Sequence, residues 1–164
     1  MERKMRRFKQ MLAKADCDNI LAKATNGILS LVDTDGAPYG VPMSFVYDGH
    51  DSIYLHSAVN GHKIDCIRHD RRCSFAVIDQ DMVVPEEFTT YYRSVIVTGR
   101  IVLLDGDEEI HRGLIMLGEK YSPGIYSGEE IAKSLDHVMV MRLDIESMTG
   151  KESIELVRAK SRRI

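Results

Sequence analysis

The stretch Tyr54-Leu55-His56-Ser57-Ala58-Val59-Asn60-Gly61-His62-Lys63 carries the chain from a strand into a helix. Ser52 and Ile53 extend the strand pattern backward, Asn60-Gly61 breaks it, and Lys63 to Arg68 continues with helical spacing. A helix start leaves backbone N–H groups unpaired, its dipole adds partial positive charge, and Lys63 adds a full one. These are the means of holding a phosphate. No Walker or dinucleotide fingerprint accompanies them, and the same residues also make an ordinary polar loop before a helix.

Working outward, strand patterns dominate. Asp16 or Asp18 is placed to cap a short helix through Ala24, ended by Asn26-Gly27. Ile28 to Val32 reads as a strand stopped by Asp33-Thr34-Asp35-Gly36, a hairpin-type turn. Tyr39 to Tyr47 alternates Val41, Met43, Phe45 and Tyr47 against Gly40, Pro42, Ser44 and Val46. Asp48-Gly49 then turns the chain into the strand that ends at His56. Beyond the short helix come a strand over Cys73–Ile78, an irregular loop from Asp79 to Phe88, and a long strand over Tyr91–Leu104. A helix over Asp107–Lys120 and a strand over Val138–Ile145 precede a polar tail. Antiparallel strands joined by tight turns, with few helices, predict a mainly β protein built as a small barrel. Pro42 inside a strand implies an edge, a bulge, or a place where a ligand approaches the backbone.

The 164 residues, 44% hydrophobic, suffice for one domain spanning 1–164. No apolar run approaches the roughly 20 residues that span a bilayer. Basic residues near Met1 are followed by no apolar segment, so no secretory signal is expected there. Three cysteines, Cys17, Cys66 and Cys73, without a CxxC pair, point to reduced thiols and a cytoplasmic address. Residues 1–10 hold five cationic side chains against Glu2, and residues 151–164 hold five against Glu152 and Glu155. The net charge of −3 therefore leaves residues 11–150 at −10. So acidic a body repels phosphate backbones, and nucleic acid is not an expected partner. His56 and His62, taken with His50 or His69, match no zinc pattern, so no metal site is expected.

The ordered set Gly27, Pro38-Tyr39-Gly40-Val41-Pro42, Tyr54 to Ala58, Gly61-His62-Lys63, Tyr92-Arg93-Ser94-Val95, Gly99 and Thr149-Gly150-Lys151 resembles the 5-nitroimidazole-resistance (Nim) proteins. These belong to the flavin-binding split barrels related to pyridoxamine 5′-phosphate oxidase. The resemblance runs from about Met5 to Lys151. It implies a six-stranded antiparallel Greek-key split β-barrel with short flanking helices, a homodimer, and FMN in two clefts at the dimer interface. Pro42, Met43 and Ser44 would lie along the isoalloxazine ring. His56 and Ser57 would approach the ribityl chain and phosphate, and His62 and Lys63 would complete the phosphate cradle. Arg93 and Ser94 would touch the cofactor or the partner. His62 matches the cleft histidine that Nim-type proteins often use, which makes it the candidate catalytic residue; a hydrogen-bonding role without chemistry is the alternative.

Flavin enzymes need little from side chains beyond geometry and electrostatics. The implied function is that of an FMN-dependent oxidoreductase, nitroreductase-like, passing electrons from NAD(P)H or another donor to a small acceptor. A non-catalytic flavin- or haem-binding module is the competing class, and a haem protein would place a histidine over a wide apolar pocket. Pyridoxamine 5′-phosphate oxidase activity itself is less expected, since those enzymes carry a C-terminal motif rich in tryptophan and arginine. This chain has no tryptophan and ends AKSRRI. The insertion Tyr121–Leu135 stands where a lid or specificity element is expected.

Overall fold

The computed structural model describes residues 5–125 and 137–162. Seven strands form one antiparallel sheet: β1 (Asn26–Val32), β2 (Pro38–Ser44), β3 (Val46–Tyr47), β4 (Ser52–Ala58), β5 (Arg72–Val84), β6 (Thr89–Leu103) and β7 (Val138–Glu152). Among the described residues four α-helices accompany them: α1 (Lys14–Lys23), α2 (His62–His69), α3 (Asp107–Tyr121) and α4 (Ile154–Ser161). None of the described helices is long and apolar enough to cross a membrane.

The strand order is β2-β1-β5-β6-β7-β4-β3. Its two outermost members, β2 and β3, are separated in the chain only by Phe45, so covalent continuity joins the two ends of the sheet. The run expected as one strand from Tyr39 to Tyr47 is thus two, and the expected six strands become seven. β2 pairs with β1 along its whole length and β3 pairs with β4. Phe45 cannot serve both neighbours at once, and the ladder breaks there. Pro42 sits opposite Ile28 in an unbroken register, with β2 last in its ladder, so its missing N–H costs no strand pairing.

Alternate residues of every long strand point inward. Leu29, Leu31, Phe75, Val77, Val95, Val97 and Leu143 are buried in one cluster with Phe45 at its centre, whose ring meets Phe75 edge-on at 4.8 Å. Each such side chain contributes about 1.5–3 kcal/mol on burial. A second, smaller cluster lies outside the sheet, where Leu114 and Leu117 of α3 cover Val46, Tyr54 and Val140.

Three segments differ from the sequence expectation. α1 begins at Lys14 behind Ala13, without a side-chain cap; Asp16 falls in its first turn and Asp18 within it. The region expected as a loop, Asp79 to Phe88, is mostly strand. β5 passes a register shift between Ile78 and Gln80 and runs on to Val84, where Pro85–Glu87 and a left-handed Phe88 make the turn. β7 likewise continues past Ile145 to Glu152, and the polar tail folds as α4. Residues 126–136 of the insertion lie outside the described residues.

The β6–β7 register shifts between Thr98 and Gly99. A Cβ on Gly99 would stand 2.0 Å from the Asp144 carbonyl oxygen, so the two strands meet this closely only because the side chain is absent. Gly99→Ala is expected to lower stability by about 1–3 kcal/mol, the cost of overpacking against backbone. Urea unfolding followed by circular dichroism measures this, and an unchanged midpoint contradicts the close approach.

Candidate functional site

β4 alternates between the two clusters, Ile53 and Leu55 inward and Tyr54 toward α3. His56 continues the outward set. There it opens into a cleft of about 390 Å³ walled by Ser44, Val138 and the α3 side chains Leu114, Leu117 and Tyr121. Tyr121 shapes the cleft through the seam of the sheet. Its hydroxyl accepts the Phe45 N–H at 2.8 Å and has the carbonyls of Phe45 and Thr25 within reach for its own proton. The Phe45 N–H left unpaired by the strand break is thereby satisfied from α3, and the hydroxyl proton serves one of the two carbonyls.

The electrostatics of this edge disfavour positive charge on both His56 and Lys63. His56 has its pKa lowered, first by its enclosure between the cleft walls and second by the Lys63 ammonium. Burial lowers the pKa of half-buried Lys63 as well. Gly61 precedes α2 with φ +133°, a conformation costly for any residue with a side chain, and no side chain caps the helix. A bound anion would relieve both cationic groups and pair with the first N–H groups of α2.

The sequence-predicted residues distribute as follows. Ser44 and His56 share the cleft, and Lys63 acts electrostatically on His56. Pro42 is exposed on β2, whereas Met43 is only 8% exposed and joins the core, so it offers the cleft its backbone alone. Ser57 lies on the opposite face of β4 from His56, and its hydroxyl donates to the Ala58 carbonyl at 2.9 Å. Arg93 is held by Asp79 at 3.1 Å and by buried Glu152 at 3.3 Å, and lines a separate hollow with Asp16 and Lys160. Ser94 pairs across the sheet with Ile78 and Lys151. His62 turns from the cleft residues toward the β1–β2 turn. Its Nε2 lies 3.2 Å from Asp33 Oδ2, and Tyr39 packs against the ring at 4.5 Å between centroids.

Several participants carried no strong sequence signal. Leu114, Leu117 and Val138 give the cleft an apolar wall beside His56, where the sequence context alone had implied a polar one. Lys120, one residue before Tyr121, donates to the Ala24 carbonyl at 2.6 Å and lies 4.3 Å from the centre of the Phe45 ring. Burial pushes its amine down to about 8. Asp33 and Cys66 approach His62, and the only hint was the i, i+4 spacing of His62 and Cys66, which puts both on one face of α2.

A family model described as pyridoxamine 5′-phosphate oxidase matches residues 13–152. No curated protein matches the chain. Among solved structures, a candidate 5-nitroimidazole antibiotic resistance protein from Bacteroides thetaiotaomicron is 24% identical with a TM-score of 0.75, over 87% of this chain and 86% of that one. A flavocytochrome from Azotobacter vinelandii is 19% identical with a TM-score of 0.72, over 91% of this chain and 72% of that one. An FAD-binding protein from Mesorhizobium loti is 24% identical with a TM-score of 0.63, over 88% of this chain and 97% of that one. These likenesses show a shared fold.

Tyr121→Phe removes the hydroxyl and strands the Phe45 peptide groups, at an expected cost of about 1–3 kcal/mol. Denaturant unfolding checks this, and a loss below experimental error contradicts the seam. Lys120 gives a pH signature. Its folded pKa, about 8, lies below the unfolded value of 10.5, so burial opposes folding while the amine is protonated. That opposition fades as pH rises from about 8 toward 10.5, so this group makes stability climb over that window. Lys120→Met should flatten the climb in unfolding curves taken across the window; an identical slope in the variant contradicts it.

Proposed function

Because this chain belongs to the pyridoxamine 5′-phosphate oxidase family, we propose that it binds FMN and works as an oxidoreductase on a small acceptor. The observation that carries the reading is His56, which lines the cleft and feels the ammonium of Lys63, a residue of the first turn of α2 behind Gly61. A dianionic phosphate gains there from helix N–H groups, a fixed ammonium and a nearby imidazole, while the apolar wall from α3 suits a flat ring. The flavocytochrome and the FAD-binding protein among the similar structures support a flavin as the ligand. The nitroimidazole-resistance relative supports a nitroaromatic acceptor.

Within this reading Pro42, Ser44 and the Met43 backbone border the ring. His56 serves the ribityl chain through its side chain and Ser57 through its peptide, and Lys63 with the His62 peptide holds the phosphate. Arg93 and Ser94 face the cofactor of the second subunit. A homodimer is supported by the outer row Pro42–Ile28–Ala76–Ile96, which runs across four neighbouring strands with Ile28 and Ile96 exposed, and by Phe88, 98% exposed at the β5–β6 turn. Counting β2 and β3 as one strand bent at Phe45 gives the six strands of the Greek-key split barrel.

The chemistry that bound flavin supplies is two-electron transfer between a donor such as NAD(P)H and the acceptor. The chain's own residues bind, orient and supply protons. Asp33 occupies Nε2 of His62, so this candidate catalytic histidine would meet a substrate through Nδ1. A second reading, a non-catalytic flavin- or haem-binding module, is favoured by one observation. His56, with its pKa lowered, faces Leu114, Leu117 and Val138, and an uncharged imidazole in apolar surroundings is what a haem iron would take.

Lys63→Ala should weaken FMN binding about 10- to 100-fold, the worth of a charge-assisted contact to phosphate. Flavin fluorescence titration against the wild type measures it, and equal affinity overturns the cradle. Bleaching of the bound flavin by NADPH separates enzyme from carrier. Haem binding by wild type that is lost in His56→Ala would favour the second reading.

A further inference from the structure

The β1–β2 turn and helix α2 bring three different ligand atoms together, one of them Nε2 of His62, whose peptide and Nδ1 are the parts that the flavin reading uses. Asp33 Oδ2 lies 3.2 Å from His62 Nε2, Cys66 Sγ lies 3.7 Å from Asp33 Oδ1, and Cys66 Sγ lies 3.9 Å from His62 Nε2. All three donors fall within 4.8 Å of one another. We propose that Asp33, His62 and Cys66 form a binding site for a zinc-like divalent cation.

The spacing is the first argument. Metal–nitrogen and metal–oxygen bonds of about 2.0 Å and a metal–sulfur bond of about 2.3 Å put the donors of a tetrahedron roughly 3.3–3.6 Å apart. The His62–Asp33 pair at 3.2 Å already stands at that separation, Cys66 Sγ lies 3.9 Å from His62 Nε2, and all three donors lie within 4.8 Å, so side-chain adjustments complete the geometry. The second argument is chemical type. One imidazole, one carboxylate and one thiolate form a nitrogen, oxygen and sulfur set that suits zinc, and the two anionic ligands neutralise its double charge.

The third argument is how the ligands are held. His62 and Cys66 are one helical turn apart on the same face of α2, whose backbone fixes both. Tyr39 packs edge-on against the imidazole. The Thr34 N–H donates to Asp33 Oδ1 at 2.6 Å, orienting the carboxylate and leaving Oδ2 for the cation. That is the outer-shell support that tunes metal ligands. Cys66 is fully buried while the His62 side chain is half exposed, so the cation would enter from the His62 side and keep a water in its fourth position. Without a cation Cys66 gains little from the arrangement, since a thiol is a weak donor to a carboxylate. On binding, Cys66 gives its thiol proton to solvent and the cation exchanges three waters for protein ligands; no redox change is involved.

The test uses untagged full-length protein, stripped with chelator and titrated with Co²⁺. One Co²⁺ per chain, with visible tetrahedral bands and a thiolate-to-cobalt charge-transfer band, both displaced by Zn²⁺, is the expected result. Cys66→Ser should abolish the charge-transfer band, and Asp33→Asn, a near-isosteric change in the turn, should weaken Co²⁺ binding at least ~10-fold while FMN affinity is retained. The Asn variant also decides the matter if the Ser variant fails to fold. Absence of a charge-transfer band in the wild type, its persistence in Cys66→Ser, or undiminished Co²⁺ affinity in Asp33→Asn would each overturn the site. The failure of the flavin reading would appear separately, as absent FMN binding in the wild type.

Discussion

A single tyrosine hydroxyl closes this sheet. Rolling seven strands until the first and last come from adjacent residues forces a break at Phe45, whose ring is fully buried against Phe75 while its peptide groups lose both ladders. Buried peptide groups without partners cost too much to leave, and Tyr121 reaches from the end of α3 to satisfy them. The consequence is positional. The end of α3 must lie beside the seam, and its apolar face then stands opposite His56 and Ser44. The cleft is the space left between a helix tethered at the seam and the strand it cannot fully cover.

Charge follows from that geometry. Enclosure and then the Lys63 ammonium lower the pKa of His56, and burial lowers that of Lys63, so an anion bound beside them would favour positive charge on both. Arg93, the other cation that the family resemblance brings forward, is already matched by Asp79 and Glu152. Of Lys63 and Arg93, Lys63 is the one not matched by an ion pair among the described residues, which is why the proposed phosphate cradle is centred on it. α2 has two working faces. Lys63 acts on the cleft, while His62 and Cys66 meet Asp33 in the β1–β2 turn.

Much of the fold could be read from residue order because the barrel interior imposes a period of two. β1 and the stretch of β6 from Val95 to Ile101 alternate cleanly, and α3 shows its apolar stripe over Ile110, Leu114 and Leu117. The reading failed where that interior stops. Beyond Ile78, β5 no longer packs on both sides, and Met82 and Val83 stand exposed among acidic residues, so strand and loop look alike. The Phe45 break is invisible in sequence because it arises from a conflict between two neighbours, β1 and β4, that only closure brings together. The helix start behind Gly61 was legible from local chemistry. The apolar α3 wall and the approach of Asp33 to Cys66 were not, since their separation along the chain hides a contact that topology creates.

The central claim is that the cleft beside His56 and Lys63 holds a flavin phosphate. The most direct measurement is the absorption spectrum of the wild-type protein after equilibration with FMN and removal of the excess. The account predicts a retained flavin spectrum at one FMN per chain, competed away by inorganic phosphate at high concentration. A folded protein that emerges colourless would contradict it.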